Sequence, residues 1–264
     1  MILDANAHVT PSGSWPAAGV DASVERLLAE MDATGVTRAC LVGLPGLIGN
    51  EQVLELCARH RQLLPVGSFD PTAGDPDGLE ARLRGEFLDR SFFGFKLHPR
   101  FGHYSLDDAR VTRLFDELAR WPNAPLVWIC SYLYIPGVPL AKGPVELLHD
   151  RVVSYPGLDF VLAHAGGPDL LRLAFALRPC RNAWLELSYT LTDYLGSSVE
   201  QDLRHLCNHF EQRLLFGSDF PEVALPQALA AAQRVLEGSK PGAAEAILGG
   251  NLATLLRKRG FDAS

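Results

Sequence analysis

The chain reads as an α/β protein, a single closed (β/α)8 barrel, and three observations predict it. Short apolar runs alternate with longer amphipathic segments from one end to the other. There are eight such units, spaced at roughly 30 residues, which suits parallel strands joined by crossover helices. The 264 residues match a barrel of the TIM type, and no linker or low-complexity stretch divides them, so one domain over 1–264 is expected.

The elements follow in order. Ile2-Leu3 opens the first strand, which ends near His8. Asp21 reads as an N-cap for a helix whose Val24, Leu27, Leu28 and Met31 form one apolar face, closed by Gly35. Arg38–Leu44 is the second strand, and Asn50 opens the helix carrying Val53, Leu54 and Cys57. Leu64–Phe69 is the third strand. Asp77 and Glu80 form a capping-box pattern ahead of Leu83 and Phe87. Phe93–His98 is the fourth strand. Ser105 with Asp108 reads as the cap of a helix with Val111, Leu114, Phe115 and Leu118 at helical spacing.

Leu126–Cys130 is the fifth strand. A long loop then carries Tyr132, Tyr134, Pro136 and Pro139, and Pro144 starts a helix. Leu158–Ala163 is the sixth strand and runs into His164 and Gly166-Gly167-Pro168. Ala183–Leu187 is the seventh, with Ser198 and Gln201 capping the helix after it. Leu214–Phe216 is the eighth. It delivers one carboxylate, Asp219, at a Gly217-Ser218 turn. Helices around 229–236, 243–248 and 252–256 complete the chain.

Composition excludes several functions. A net charge of −7, with scattered Lys and Arg, argues against nucleic acid and anionic membrane as partners. No apolar run approaches a membrane span, and the N-terminus lacks the pattern of a signal peptide. Five widely spaced cysteines without C-x-x-C fit the reduced thiols of a cytoplasmic protein. No glycine-rich nucleotide loop follows any strand. A small molecule is the expected partner, and homo-oligomerisation stays open.

In a barrel, polar residues at strand C-termini make the site. Those are Asp4, Asn6 and His8, then Asp70, Lys96 and His98, then Cys130, His164, Glu186, Ser188 and Asp219. Asp4 and Asn6 are expected to serve structure, as buried strand-end hydrogen bonders. Lys96 and His98, two apart, share one side of their strand and are expected to contact substrate. Trp128, Tyr132 and Tyr134 are expected in the core or in a lid.

The stretches ILDANAH, GFKLHP, FVLAHAGG, LLFGSDFP and ILGGNLATLL, in this order along nearly the whole chain, resemble the amidohydrolase superfamily. The likeness is greatest to its amidohydrolase-related branch of decarboxylases and lactone or amide hydrolases. Two positions depart from the family pattern. Its first strand ends in His-x-His where this chain has Asn6-Ala7-His8, and its fifth ends in a histidine where this chain offers Cys130. The resemblance implies that His8, Cys130 and Asp219 could hold zinc or another divalent metal. It equally allows metal-free hydrolysis, with Asp219 as general base, His164 relaying the proton and Lys96 polarising a carbonyl or binding a carboxylate. The expected activity is hydrolysis of a small ester, lactone or amide, carboxylated or not, at a degenerate metal site. The alternatives are a metal-dependent decarboxylase and an inactive barrel that binds a small ligand.

Overall fold

The computed structural model describes residues 1–264 apart from 18, 89, 90, 136–138, 263 and 264. Pro136 of the expected loop lies outside the described residues. Eight parallel strands run β1 (Ile2–Ala7), β2 (Val36–Val42), β3 (Leu63–Ser68), β4 (Gly94–Leu97), β5 (Leu126–Cys130), β6 (Phe160–Ala163), β7 (Ala183–Glu186) and β8 (Leu214–Leu215). Each pairs with the next in chain order, and every expected strand overlaps an observed one.

The barrel closes where β8 meets β1. Ala5 N–H donates to Phe216 O at 2.9 Å, Asp219 N–H to Asn6 O at 2.8 Å, and His8 N–H to Phe220 O at 2.7 Å. These bonds reach beyond β8 itself, which spans two residues. Residues 216–220 therefore finish the seam as an irregular segment, with Asp219 in the left-handed region at φ 61°.

Strand alternation sorts the apolar side chains into two layers. Leu3, Ala5, Cys40, Val42, Leu64, Val66, Trp128, Val161, Ala163 and Leu215 form one cluster that fills the barrel. Residues of the opposite parity, such as Leu41, Phe95, Val127, Leu162 and Leu185, pack against the helices. Gly94 is needed in this arrangement, because a Cβ there would strike the Trp128 ring. A register irregularity between Asp4 and Ala7 interrupts the alternation in β1. Ala7 and Val9 join the outer layer, which turns Asn6 and His8 toward the barrel mouth.

Helices Val24–Thr34, Asn50–Arg59, Ala109–Leu118, Pro144–Ser154, Ser198–His209 and Leu225–Leu236 are among those that cover the outside. In Ala109–Leu118 the expected stripe of Val111, Leu114, Phe115 and Leu118 is fully buried. Four caps differ from expectation, and in one of them Asp108 itself, not Ser105, caps Ala109–Leu118 by accepting from the Arg110 N–H. Ser23, not Asp21, caps the first helix, while Asp21 accepts from the Ser23 N–H in a local turn at 2.8 Å. Asp75 rather than Asp77 caps the turn of 3-10 helix before Leu79, and Ser197 rather than Ser198 caps Ser198–His209. Short polar side chains bond their own backbone two residues on, so cap and turn compete for one motif. Among the described residues no helix is long and apolar enough to cross a membrane, and all five cysteines are free.

Candidate active site

The C-terminal ends of the strands surround a cavity of about 210 Å3. His8, Lys96, His98, Cys130, His164 and Asp219 all line it, while Asp4, Asn6, Glu186 and Ser188 are fully buried and Asp70 is not among the lining residues, its carboxylate accepting from Thr72 instead. Trp15, Leu44, Phe101, Tyr132 and Tyr189 supply apolar wall, while Arg100 and Glu222 stand at the rim. Tyr132 lies flat against the His164 ring at 5.1 Å, and Trp15 stacks over His8 at 6.2 Å while donating to Glu222 at 2.6 Å.

The floor of the cavity is a buried hydrogen-bond network whose proton positions follow from its partners. His8 Nδ1 sits 2.8 Å from the Val42 carbonyl oxygen, which can only accept, so the ring proton is on Nδ1. Burial, helped by Lys96, lowers the His8 pKa, which leaves the ring neutral with a lone pair on Nε2. Lys96 Nζ donates to that nitrogen at 3.4 Å and to Asn6 Oδ1 at 3.3 Å. The other end of the Asn6 amide donates to Asp219 Oδ1 at 2.8 Å and to Ser188 Oγ at 3.0 Å. Asn6 thus presents its oxygen to the cation and its N–H groups to the acid. All three partners of its side chain lie far away in sequence, which is why its part was not visible there beyond a strand-end amide.

A second branch holds His164. Its Nδ1 lies 3.3 Å from the Ser188 carbonyl oxygen and 3.2 Å from Ser188 Oγ, so Nδ1 carries the proton and Nε2 is the ring nitrogen left for the cavity. Ser188 Oγ in turn donates to Glu186 Oε2 at 2.8 Å. Glu186 fits under the site because residue 217 is glycine, where a Cβ would collide with Glu186 Oε1. Asp4 has the structural part expected of it: it accepts from the backbone of Asn6 and Ser218 and from the Ser218 hydroxyl at 2.5 Å.

Burial would by itself push the Asp219 carboxyl up. The His164 and His8 imidazoles and Lys96 outweigh it and hold the acid well below the usual carboxylate range. At neutral pH, where both imidazoles are uncharged, Lys96 supplies the full positive charge of this balance. Burial, opposed by Asp219, brings His164 down to about 4. Burial, joined by Lys96 and His164, brings His98 down to about 2. Glu186 is driven the other way, up to about 8, by burial that its Ser188 hydrogen bonds only partly offset. The cavity therefore offers an ionised Asp219 beside an ammonium group, with neutral imidazoles around them.

With the Lys96 ammonium in place, the donor set is not free to hold a divalent ion. Among the described residues there is no group of three or more His, Cys, Asp or Glu placed to hold a metal. The structure brings His8, Cys130 and Asp219 to one cavity without forming a cage from them. The His8 Nε2 lone pair and the Asn6 oxygen both point at an ammonium, and burial keeps the Cys130 thiol protonated by raising its pKa.

Arg100, Tyr189 and Glu222 went unseen in the sequence because they lie past the strand ends, on segments with no periodicity. Tyr189, at φ 66°, is aimed into the cavity by a backbone twist that no sequence pattern announces.

An eight-stranded α/β barrel with its polar groups gathered at the C-terminal mouth defines a class of enzyme scaffold. The family model described as "Amidohydrolase" matches residues 4–258, and the chain belongs to that family. An uncharacterised TIM-barrel protein of Bordetella bronchiseptica is 20% identical with a TM-score of 0.78, covering 98% of this chain and 100% of its own. A probable 2-pyrone-4,6-dicarboxylic acid hydrolase of Acinetobacter baumannii, with citric acid bound, is 18% identical with a TM-score of 0.69 over 97% of this chain and 99% of its own. An amidohydrolase of Burkholderia multivorans with bound zinc is 19% identical with the same TM-score and the same coverage. At such identities the likeness establishes the fold. A comparison with curated proteins gives no match.

Proposed function

We propose that this protein is a hydrolase that opens a small ester, lactone or amide bearing a carboxylate, with Asp219 as general base and with no step that needs a metal. The observation carrying the reading is the meeting of Asp219, Lys96 and His164 at one small cavity. A water in hydrogen-bond reach of Asp219 gives up a proton to the carboxylate as its oxygen adds to the substrate carbonyl carbon. Lys96 has two donor directions committed to Asn6 and His8, and its third faces the developing oxyanion. When the tetrahedral intermediate collapses, the C–O or C–N bond breaks and the proton held by Asp219 passes to the leaving atom. His164 Nε2 accepts a hydrogen bond from the water or the leaving group and keeps it in line.

Asp219 is a weak base in the empty site, because its pKa is depressed. Its strength rises as substrate displaces water and draws the Lys96 charge toward the oxyanion. The neighbouring dicarboxylic acid hydrolase fits this reading, and the Arg100 guanidinium at the rim suits a substrate carboxylate. The test is turnover on a panel of carboxylated lactones, esters and amides. Asp219→Asn should cut kcat by about 100-fold or more while the circular dichroism and melting temperature stay native-like. Unchanged turnover in the folded variant would rule the base role out.

A further inference from the structure

We infer that Lys96 is the resident cation of this site: its ammonium occupies the position between His8 and Asn6, beside Asp219, that a divalent ion would need, and so masks a latent metal site. The inference rests on the geometry of the barrel floor, not on hydrolysis, and it stands or falls apart from the substrate reading.

Two acceptors meet at Nζ, and the Asp219 carboxylate lies next to both of them. His8 is locked by Val42 with its Nε2 lone pair facing inward, and that lone pair meets Nζ at 3.4 Å. The Asn6 carbonyl oxygen meets Nζ at 3.3 Å. Asp219 Oδ1 lies 3.5 Å from His8 Nε2 and 2.8 Å from Asn6 Nδ2. An imidazole nitrogen, an amide oxygen and a carboxylate on one side of an open cavity have the count of a catalytic zinc site, three protein ligands with a free position for water.

The ammonium prevents that use. A zinc ion bonded to His8 would sit about 2 Å from Nε2, forced against an ammonium that already holds the same lone pair. Two cations cannot share one lone pair, and in a buried site their repulsion is poorly screened. Lys96 is 2% exposed, fixed by the β4 backbone on one side and by its hydrogen bonds on the other, so it cannot swing into solvent to make room.

The exchange accounts for a further feature, the orientation of the Asn6 amide. With a metal on the floor, the Asn6 oxygen and the Asp219 oxygen would both turn to it. With an ammonium, the amide bridges the two charges, oxygen to the cation and N–H to the anion. Asn6 is therefore matched to Lys96, and the two residues form one device.

Zinc and cobalt(II) are the probes, measured by metal content after desalting, by titration calorimetry and by melting temperature. Wild type should retain no stoichiometric metal and show no zinc-dependent rise in melting temperature. Lys96→Met should retain about one equivalent and melt several degrees higher with zinc, and the added His8→Ala change should abolish both effects. Lys96→Gln keeps a hydrogen-bond donor for Asn6 and guards against a Met variant that fails to fold; it should gain metal likewise. Lys96→Arg, which retains the charge, should gain none. One equivalent of zinc in the wild type, lost on His8→Ala, would overturn the inference. So would a folded Lys96→Met or Lys96→Gln protein that takes up no metal.

Discussion

At the scale of single residues, Ser188 does more than its position suggests. Its hydroxyl accepts from Asn6 and His164 and donates to Glu186, and its carbonyl oxygen also accepts from His164 Nδ1. It therefore joins the branch that ends on Asp219 to the branch that ends on His164, and it helps fix which nitrogen of His164 faces the cavity. Ser188→Ala should leave the backbone bond to His164 but free the Asn6 amide and the ring to rotate. The expected result is a roughly tenfold fall in kcat with a small change in KM, because ring orientation matters most in the transition state. Equal loss in kcat and gain in KM would indicate general disruption of the cavity instead. Much of this residue-level picture was legible in the sequence as a roster: His8, Lys96, His98, Cys130, His164 and Asp219 were all placed at strand ends. Their wiring was not, because the Asn6–Asp219 bond spans 213 positions and exists only once the barrel is closed.

At the scale of elements, helix Ser198–His209 is tied to its surroundings by an acid in its first turn. Glu200 accepts from the Gly196 N–H at 2.7 Å and pairs with Arg204 and Arg234 at 3.0 Å each. The Gly196 hydrogen bond, with the two guanidiniums, lowers its pKa to about 2. A folded-state pKa below the unfolded value means that the paired carboxylate stabilises the fold above about pH 4.3, and that this part is lost as pH falls toward 2. Glu200→Gln should thus lower the melting temperature at pH 7 and show a smaller further drop on acidification than the wild type. Parallel melting curves for the two proteins between pH 6 and pH 3 would refute the linkage. The elements themselves were readable in advance, since hydrophobic period survives any tertiary context that buries the apolar face. Caps were less so, because Asp21, Ser23, Asp75 and Asp77 all belong to motifs in which neighbouring polar residues compete for the same backbone donors.

At the scale of the whole molecule, the seam between β8 and β1 is the least regular join in the barrel. β8 pairs with β7 through Leu214 and Leu215, and the closing bonds to β1 come largely from the irregular 216–220 segment. By contrast β5 pairs through four residues with each neighbour. Local opening should concentrate where the ladder is shortest. In hydrogen exchange, peptides covering 214–220 should exchange at least tenfold faster than those covering 126–130 under native conditions. Equal protection would show that the turn hydrogen bonds of Ser218 and Asp219 compensate for the short strand.

That seam also carries the acid proposed as base. Asp219 N–H is itself one of the closing bonds, to Asn6 O, and the neighbouring His8 N–H to Phe220 O is another. Fastening the molecule and positioning the carboxylate are therefore one task performed by one short stretch of chain. A slackened seam would displace Asp219, Asn6 and His8 together while the other seven joins held. Heating or mild denaturant should accordingly silence the protein while its helices remain intact, so that loss of turnover marks the first stage of disassembly and not its completion.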